Sequence, residues 1–185
     1  MNKQIRDKIA RMMFLREFRA HKRQQKMISF NEAKTIGVVY DSTDEKNFEI
    51  IKRYVKELRE IYKKDVLALG YYHGKELPNM RFSKLGLDFF TRKNLNWHSK
   101  PNAPVVRNFT LKDFDILIDL HTGNSLPFRY VIAMTKAKFK IGRYERSSAP
   151  FYDFMISIEE NTSLTKFIEQ VNHYLNMLKH EPSYK

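Results

Sequence analysis

Two short apolar runs flank a long amphipathic segment, and this order restricts the fold more than any other feature of the chain. Residues 35–40 (TIGVVY) and 66–72 (VLALGYY) have the β-branched and apolar composition of buried strands. Between them, residues 44–63 carry apolar side chains at helical spacing, and Ser42 with Glu45 matches a capping box that predicts Ser42 as the N-cap. A strand, a helix and a second strand form a right-handed βαβ unit, which predicts a parallel sheet.

The rest of the chain continues this alternation. Residues 114–120 (FDILIDL) predict a strand, and Ser125 followed by Pro127 predicts the start of a helix that ends near Thr135. We therefore expect an α/β fold with a small doubly wound, mostly parallel sheet, as a Rossmann-like or flavodoxin-like three-layer sandwich. The other predicted elements are short strands at 87–90, 139–142 and 154–158 and a closing amphipathic helix at 162–178, while the remainder of 73–108 shows no regular pattern.

The first 34 residues are strongly basic. They hold ten Lys or Arg against three acidic residues, which supplies +7 of the formal net charge of +13. The spacing of their apolar side chains predicts a helix over 1–26. We divide the chain into a basic helical arm at 1–30 and a single α/β domain at 31–185. The predicted apolar face of the helix comprises Ile5, Ile9, Met12, Met13, Phe14, Leu15 and Phe18.

The basic arm predicts a polyanionic partner, because lysines and arginines that meet phosphates release condensed counterions. A second basic cluster at 136–146 includes Tyr144, and this mixture of charge and an aromatic ring is typical of RNA surfaces. A solvated strand edge protected by lysines would show the same pattern. The predicted RNA-binding residues are Lys3, Arg6, Lys8, Arg11, Arg16, Arg19, Lys22, Arg23, Lys26, Lys138, Lys140, Arg143 and Arg146.

The sequence lacks the motifs of several kinds of chemistry. No glycine-rich turn follows the first predicted strand, which argues against a dinucleotide cofactor, and no Walker A sequence is present. The chain has no Cys, and its six His show neither H-x-H nor H-E-x-x-H spacing. We therefore predict no catalytic residues, no cofactor and no metal, and the pattern favours a binding protein over an enzyme.

One predicted turn has the residues that chemistry would need. Asp119 and His121 end a predicted strand two residues apart, so their side chains point to the same side. The turn precedes a helix N-terminus at the carboxyl end of the sheet, where anions and ligands bind. An acid–base pair there would suit group transfer, although the same residues also form turns that bind nothing. The candidate anion site comprises Thr122, Gly123, Asn124, Ser125 and Arg129.

Three segments resemble an uncharacterised conserved family of Bacteroidota that has a basic N-terminal helix and a small Rossmann-like domain. They are FDILIDL, TKAKFKIGRYE and YDFMISIEE, and the similarity extends over about residues 1–180. The resemblance implies a bacterial cytoplasmic protein and no defined activity. Residues 114–145 are also similar, more weakly, to the N-terminal half of heptosyltransferases, but 185 residues leave no room for the second domain that binds the nucleotide sugar in that family.

These observations predict a non-catalytic RNA-binding protein that associates with the ribosome through its cationic N-terminal helix. Ribosomal RNA and neighbouring ribosomal proteins would be its partners. The alternative is a small glycosyltransferase-like or nucleotide-binding enzyme that uses residues 119–125. A third interpretation is an anionic membrane surface contacted by the helix at 1–26. A cytoplasmic location is expected, because no apolar run approaches the ~18 residues of a membrane span and Arg16 interrupts the run that a signal peptide would need.

Overall fold

A computed structural model describes residues 3–78, 86–123 and 125–178, which form a parallel sheet with helices on both faces. The strands are β1 (Thr35–Asp41), β2 (Asp65–Tyr72), β3 (Leu87–Thr91), β4 (Ile116–Asp119), β5 (Phe139–Arg143) and β6 (Phe154–Ile156). The helices are α1 (Lys3–Ala20), α2 (Glu45–Glu60), α3 (Pro104–Leu111), α4 (Leu126–Met134) and α5 (Leu164–Met177).

The order of the six strands is β3-β2-β1-β4-β5-β6, and every neighbouring pair is parallel. The chain builds outward from β1 to β3 and then returns to place β4 on the other side of β1. The predicted α/β fold with a doubly wound parallel sheet is therefore confirmed. The order reverses between β1 and β4, and the carboxyl ends of strands at such a point form a crevice.

The sheet separates two apolar cores. Because side chains alternate along a strand, Val38 of β1 packs with α2 and α5, whereas the next residue, Val39, packs with α1, α3 and α4. Both faces of the central strands are covered, which explains why their sequences are continuous apolar runs and not alternating ones. The two candidate surfaces described below lie on α1 and at the carboxyl edge of the sheet.

The start of α2 differs from the prediction. Its N-cap is Asp44, whose carboxylate accepts the backbone N–H of Asn47 at 2.8 Å. Ser42, the predicted N-cap, is buried, and its N–H donates to the Tyr71 carbonyl at 3.0 Å. The chain therefore still follows β2 at Ser42, and the helix begins only after it has left the sheet.

The predicted N-terminal helix exists but ends at Ala20 and not at residue 26. Beyond it, the backbone N–H of Lys26 donates to the Lys138 carbonyl at 3.1 Å, so a tertiary contact replaces the next helical turn. The contact face of α1 is also narrower than predicted. Ile5 is 53% exposed and Met12 is 65% exposed, because the face that packs on the domain is the row of residues four apart formed by Ala10, Phe14 and Phe18, with Leu15 beside it.

The helix α3 was missed by the sequence reasoning. It has eight residues and begins with Pro104, so it contains too few turns to show a periodic pattern. Its Val106 and Phe109 are buried in the same core as Phe14 of α1. None of the described helices is long and apolar enough to cross a membrane.

Candidate functional site

The first candidate is a cationic surface formed by exposed basic side chains of α1 and of the segment that follows it. The only acidic side chain described on this helix, Glu17, lies 2.6 Å from the Nζ atom of Lys100 and is neutralised by it. The basic side chains themselves form no ion pair or side-chain hydrogen bond with any described residue. The cationic surface comprises Lys8, Arg11, Arg16, Arg19, Lys22 and Lys26.

Two of the predicted RNA-binding residues are engaged inside the chain. The side chain of Arg23 is only 9% exposed, and its guanidinium lies 2.7 Å from the Asp153 carboxylate. It also donates to the carbonyls of Ala137 and Lys138 at 3.2 and 3.0 Å. The ammonium of Lys138 pairs with Asp115 at 2.8 Å. Arg23 thus attaches the segment after α1 to the sheet, Lys138 joins the chain just before β4 to the chain just before β5, and both cations are engaged in these internal contacts.

Lys140 was predicted to bind RNA and is instead 1% exposed. Its Nζ atom donates to the Ile132 carbonyl at 2.5 Å, at the C-terminal end of α4. Burial lowers the pKa of Lys140 to about 7. Because β5 is covered on both faces, this lysine has no route to a surface ligand and leaves the predicted RNA-binding set. Arg146 is exposed, and the side chains of Lys3 and Arg6 lie outside the described ones.

The second candidate is the strand-end crevice, a cavity of about 270 Å³ at the carboxyl ends of β4 and β5. Its walls come from the β4–α4 turn, the first turns of α4, and the segment after β5, which continues into a 3₁₀ helix at Arg146–Phe151. The crevice adjoins the point where the strand order reverses. This is the place where open α/β sheets bind ligands.

Asp119 ends β4 at the floor of the strand-end crevice and is 3% exposed. Its Oδ2 atom accepts the hydroxyl of Tyr152 at 2.5 Å, and its Oδ1 atom accepts the backbone N–H of His121 at 2.9 Å. Burial raises the pKa of Asp119 to about 7, although both hydrogen bonds act in the opposite direction. Near neutral pH this carboxyl is therefore partly protonated, and it can donate as well as accept a hydrogen bond.

The imidazole of His121 lies flat against Phe128, with ring centroids 3.9 Å apart and planes inclined by 20°. Burial lowers the pKa of His121 to about 4, so the ring is neutral at physiological pH. A second pair, His73 and Asp41, lies at the ends of the neighbouring strands with 3.1 Å between Nε2 and Oδ2. The charge of Asp41 partly opposes the effect of burial on His121.

Two arginines line the strand-end crevice and are held in place. The guanidinium of Arg129 donates to Glu145 at 2.8 Å and to Ser147 at 2.5 Å. The guanidinium of Arg143 donates to the Thr122 carbonyl. Each contact uses one terminal nitrogen of a group that carries five N–H donors. Both arginines line the cavity, and their other N–H donors have no acceptor among the described residues.

Glu145 is the anionic member of this wall. Burial would raise the pKa of Glu145, but hydrogen bonds from Ser147 and Ser148 and the charge of Arg129 outweigh it and hold the pKa at about 2. The carboxylate is thus ionised throughout the physiological range. It neutralises Arg129, whereas Arg143 has no carboxylate partner among the described residues.

Comparison with known proteins now places the chain in a family. A family model matches residues 6–178. The chain belongs to the DUF6913 family, a family of unknown function. This agrees with the resemblance found in the sequence to a family without a defined activity. No curated protein matches the chain in sequence.

A solved structure of Escherichia coli heptosyltransferase WaaC with ADP has weak similarity to this chain. The two share 10% sequence identity, and the TM-score is 0.48. The alignment covers 80% of this chain and 49% of the other, so the chain spans about half the length of that protein. The similarity agrees with the second resemblance seen in the sequence, and at this level it carries no argument about activity.

The structure brings four of the five residues of the predicted anion site to one cavity. Thr122, Gly123, Ser125 and Arg129 line the strand-end crevice together with Asp119 and His121, and Asn124 lies outside the described residues. Ser125 occupies the N-cap position of α4 but makes no side-chain capping bond. Ser125 therefore stands at the start of α4 as predicted, but its side chain does not cap the helix.

Tyr152 was missed by the sequence reasoning, because it follows β5 and reaches Asp119 across that strand. Gly142 makes this approach possible. A Cβ atom at Gly142 would lie 2.5 Å from Cε1 of Tyr152 and 3.2 Å from Cβ of Asp119. A glycine inside a buried strand is a signal of close approach, so Gly142 was the available clue.

The two candidates differ in what they can do chemically. The cationic surface offers charge without a shaped cavity, which suits an extended polyanion. The strand-end crevice offers fixed guanidinium donors and a partly protonated carboxyl, which suits one small polar ligand. No group of three or more His, Asp or Glu side chains in the described part of the chain could hold a metal ion.

Proposed function

We propose that this protein binds RNA through the cationic surface and acts as a binding protein that associates with the ribosome. The observation that carries the proposal is the way α1 is attached. The helix docks on the domain by its apolar row and leaves the side chains of Lys8, Arg11, Arg16 and Arg19 in solvent, with no partner among the described residues. A cytoplasmic location belongs to the same proposal.

The docking of α1 rests on aromatic contacts. The ring of Phe14 lies 4.7 Å from that of Tyr130 and 5.2 Å from that of Phe151, both in edge-on geometry. Phe18 adds a further edge-on contact with Phe151 at 4.8 Å. Such pairs contribute beyond the area they bury. A helix that is already fixed loses less conformational entropy on binding than a free tail does. More of the attraction between its charges and a partner therefore remains as binding free energy.

The charges of the cationic surface suit a phosphate backbone. Helical geometry places Lys8, Arg16 and Arg19 opposite Phe14, so they can meet one partner together. Trp97 is exposed in the loop that the Lys100–Glu17 ion pair joins to α1. An aromatic ring beside a cationic track provides a stacking platform for an unpaired base.

An anionic membrane surface is the second candidate, and one observation favours it. Ile5 and Met12 are exposed on the same side of α1 as Arg16 and Arg19. Apolar side chains between cations are the pattern of a helix that lies in a bilayer interface. RNA remains the first proposal, since Ile5 and Met12 are the only large apolar side chains exposed among the described ones of α1, and both lie among basic ones.

The test compares two variants with the same change of charge. R16E/R19E/K22E reverses three members of the cationic surface, and K46E/R53E/K166E reverses three exposed cations on α2 and α5. The measurement is the dissociation constant for purified ribosomes and for a structured ribosomal RNA fragment between 50 and 200 mM salt. The salt slope is the change in the logarithm of the binding constant with the logarithm of the salt concentration, and each lost phosphate contact lowers its magnitude by about one. We therefore expect the first variant to lose about three units of slope and the second variant close to none.

Two outcomes would decide against the proposal. Equal weakening by both variants would show that only total charge matters. Unchanged binding of the first variant to RNA, together with lost binding to vesicles containing 30 mol% phosphatidylserine, would favour the membrane instead. Circular dichroism of both variants checks that their total helix content equals that of wild type.

A further inference from the structure

We propose that the strand-end crevice binds a small phosphorylated polyol, with its phosphate on Arg129 and Arg143 and its hydroxyl groups on Asp119 and Tyr152. This inference is independent of RNA binding, because none of these four residues belongs to the cationic surface. It concerns binding and includes no group-transfer step.

The charge of the crevice favours an anion. Arg129 is neutralised by Glu145, whereas Arg143 contacts only the neutral carbonyl of Thr122 among the described residues. The walls thus carry one positive charge in excess when Asp119 is protonated. An oxyanion would balance it and use N–H donors that both guanidinium groups leave unpaired within the described part of the chain.

The geometry of the crevice favours a phosphate at one end. Arg129 lies one turn into α4, and the N-cap residue Ser125 and the first-turn residue Phe128 line the cavity with it. The positive end of the α4 dipole therefore adds to the charge of the two arginines. Both side chains are already held, Arg129 by Glu145 and Ser147 and Arg143 by the carbonyl of Thr122, so little side-chain entropy is lost on binding.

The opposite end favours hydroxyl groups. Asp119 and Tyr152 share a hydrogen bond of 2.5 Å, and each keeps acceptor lone pairs for a ligand hydroxyl. The ring nitrogens of His121 form no hydrogen bond with the described residues, and the imidazole is neutral because burial lowers its pKa to about 4. Burial also raises the pKa of Asp119 to about 7, so below that pH the carboxyl does not repel a phosphate.

The size of the crevice restricts the ligand. Its volume of about 270 Å³ lies near the lower end of the range for small-molecule sites. A monosaccharide phosphate or a short phosphorylated polyol fits that range, whereas a dinucleotide needs more room. Phe128 and Ile132 supply the apolar part of the wall.

The experiment uses the full chain and three probes: inorganic phosphate, ribose 5-phosphate and ribose, each followed by calorimetry and by NMR chemical shifts up to 10 mM. We expect ribose 5-phosphate to bind more tightly than phosphate, and ribose to bind more weakly than either. R143Q should weaken the binding of inorganic phosphate and of ribose 5-phosphate about tenfold or more, since hydrogen bonds to charged groups are strong. The matched control is R146Q, which removes an exposed arginine that does not line the crevice.

A second variant separates the two ends of the site. Y152F removes only the hydroxyl and keeps the ring, so it should weaken ribose 5-phosphate about threefold to tenfold and leave inorganic phosphate unchanged. The proposal is overturned if neither inorganic phosphate nor ribose 5-phosphate binds at 10 mM, or if R143Q and R146Q have the same affinity for these two ligands. R16E/R19E/K22E should bind ribose 5-phosphate normally, so the failure of one proposal leaves the other distinguishable.

Discussion

The arginines of the cationic surface and those of the strand-end crevice have the same chemistry and different surroundings. Arg16 and Arg19 extend into solvent from an anchored helix, with no acceptor among the described residues. Arg129 and Arg143 are fixed by a carboxylate and by a carbonyl at the wall of a cavity. The comparison shows that arginines with the same charge can have different surroundings, because contacts within the fold decide whether the side chain extends into solvent or lines a cavity.

Arg23 belongs to the basic N-terminal segment but is held by contacts inside the fold. It stands next to Lys22 in the sequence, yet its guanidinium is buried against Asp153 while Lys22 is exposed. A basic run can therefore contain structural cations beside free ones. The three predictions that follow test the comparison between the two regions, in order of decreasing effect on the free energy of unfolding, and the last of them tests this distinction.

The largest expected effect is on the pH dependence of the free energy of unfolding, to which Asp119 of the strand-end crevice contributes. The folded-state pKa of Asp119, about 7, lies above its usual value of 3.8, so the folded chain holds a proton that the unfolded chain releases. The stability this proton contributes is complete below about pH 4 and is lost as pH rises to about 7. Asp119→Asn carries no such proton, so its free energy of unfolding should rise relative to wild type by on the order of 4 kcal/mol across that window.

Urea unfolding at pH 4, 5.5, 7 and 8.5 measures this change. The control is Ser163→Ala, which removes an exposed N-cap hydroxyl and no titratable group, so its free energy of unfolding should differ from that of wild type by the same amount at all four pH values. A constant difference between Asp119→Asn and wild type at all four pH values would mean that Asp119 is ionised in the folded state. The crevice would then repel anions as well as attract them.

The second prediction concerns the anchor of the cationic surface. Phe14→Ala removes a buried ring from between Tyr130 and Phe151 and should lower the free energy of unfolding by about 3 kcal/mol. If α1 detaches before the domain unfolds, trypsin should cut earlier at Arg16 and Arg19. Met12→Ala, at an exposed position of the same helix, is the control and should change neither measurement.

The third prediction separates two neighbouring cations. Arg23→Gln breaks an ion pair with Asp153 and two bonds to carbonyls, and should lower the free energy of unfolding by about 2 kcal/mol. Its salt slope for RNA should match that of wild type. Lys22→Gln should do the reverse, with unchanged stability and a salt slope lower by about one. Identical behaviour of the two variants would remove the distinction between structural and free cations.

The sequence predicts the central strands of this fold well. β1 and β2 each lie within one residue of their predicted bounds, because strands buried on both faces require β-branched and apolar residues throughout. The end of α1 was not predictable in the same way. Nothing near Ala20 stops a helix, and the cause is a set of contacts with residues more than 100 positions later in the chain.

The candidate site was predicted in part for a similar reason. Asp119 and His121 end a recognisable strand, so the rule that ligands bind at strand ends locates them. Tyr152 comes from a separate segment, and only the fold brings it to Asp119. The lysine at 140 was misassigned because β5 is short and covered on both faces, so its charge gave no indication that it is buried.

The anchoring of α1 also affects how the protein is made. Its aromatic partners and the Arg23–Asp153 pair lie far along the chain, with 130 positions between the members of that pair. At the usual pace of translation, that distance takes on the order of ten seconds to synthesise. Until both Tyr130 and Phe151 are synthesised, Phe14 and Phe18 lack part of their native aromatic contacts, so the nascent helix exposes an apolar surface that chaperones can bind. A message truncated before the codon for Tyr130 would remove both of these partners and leave that surface exposed.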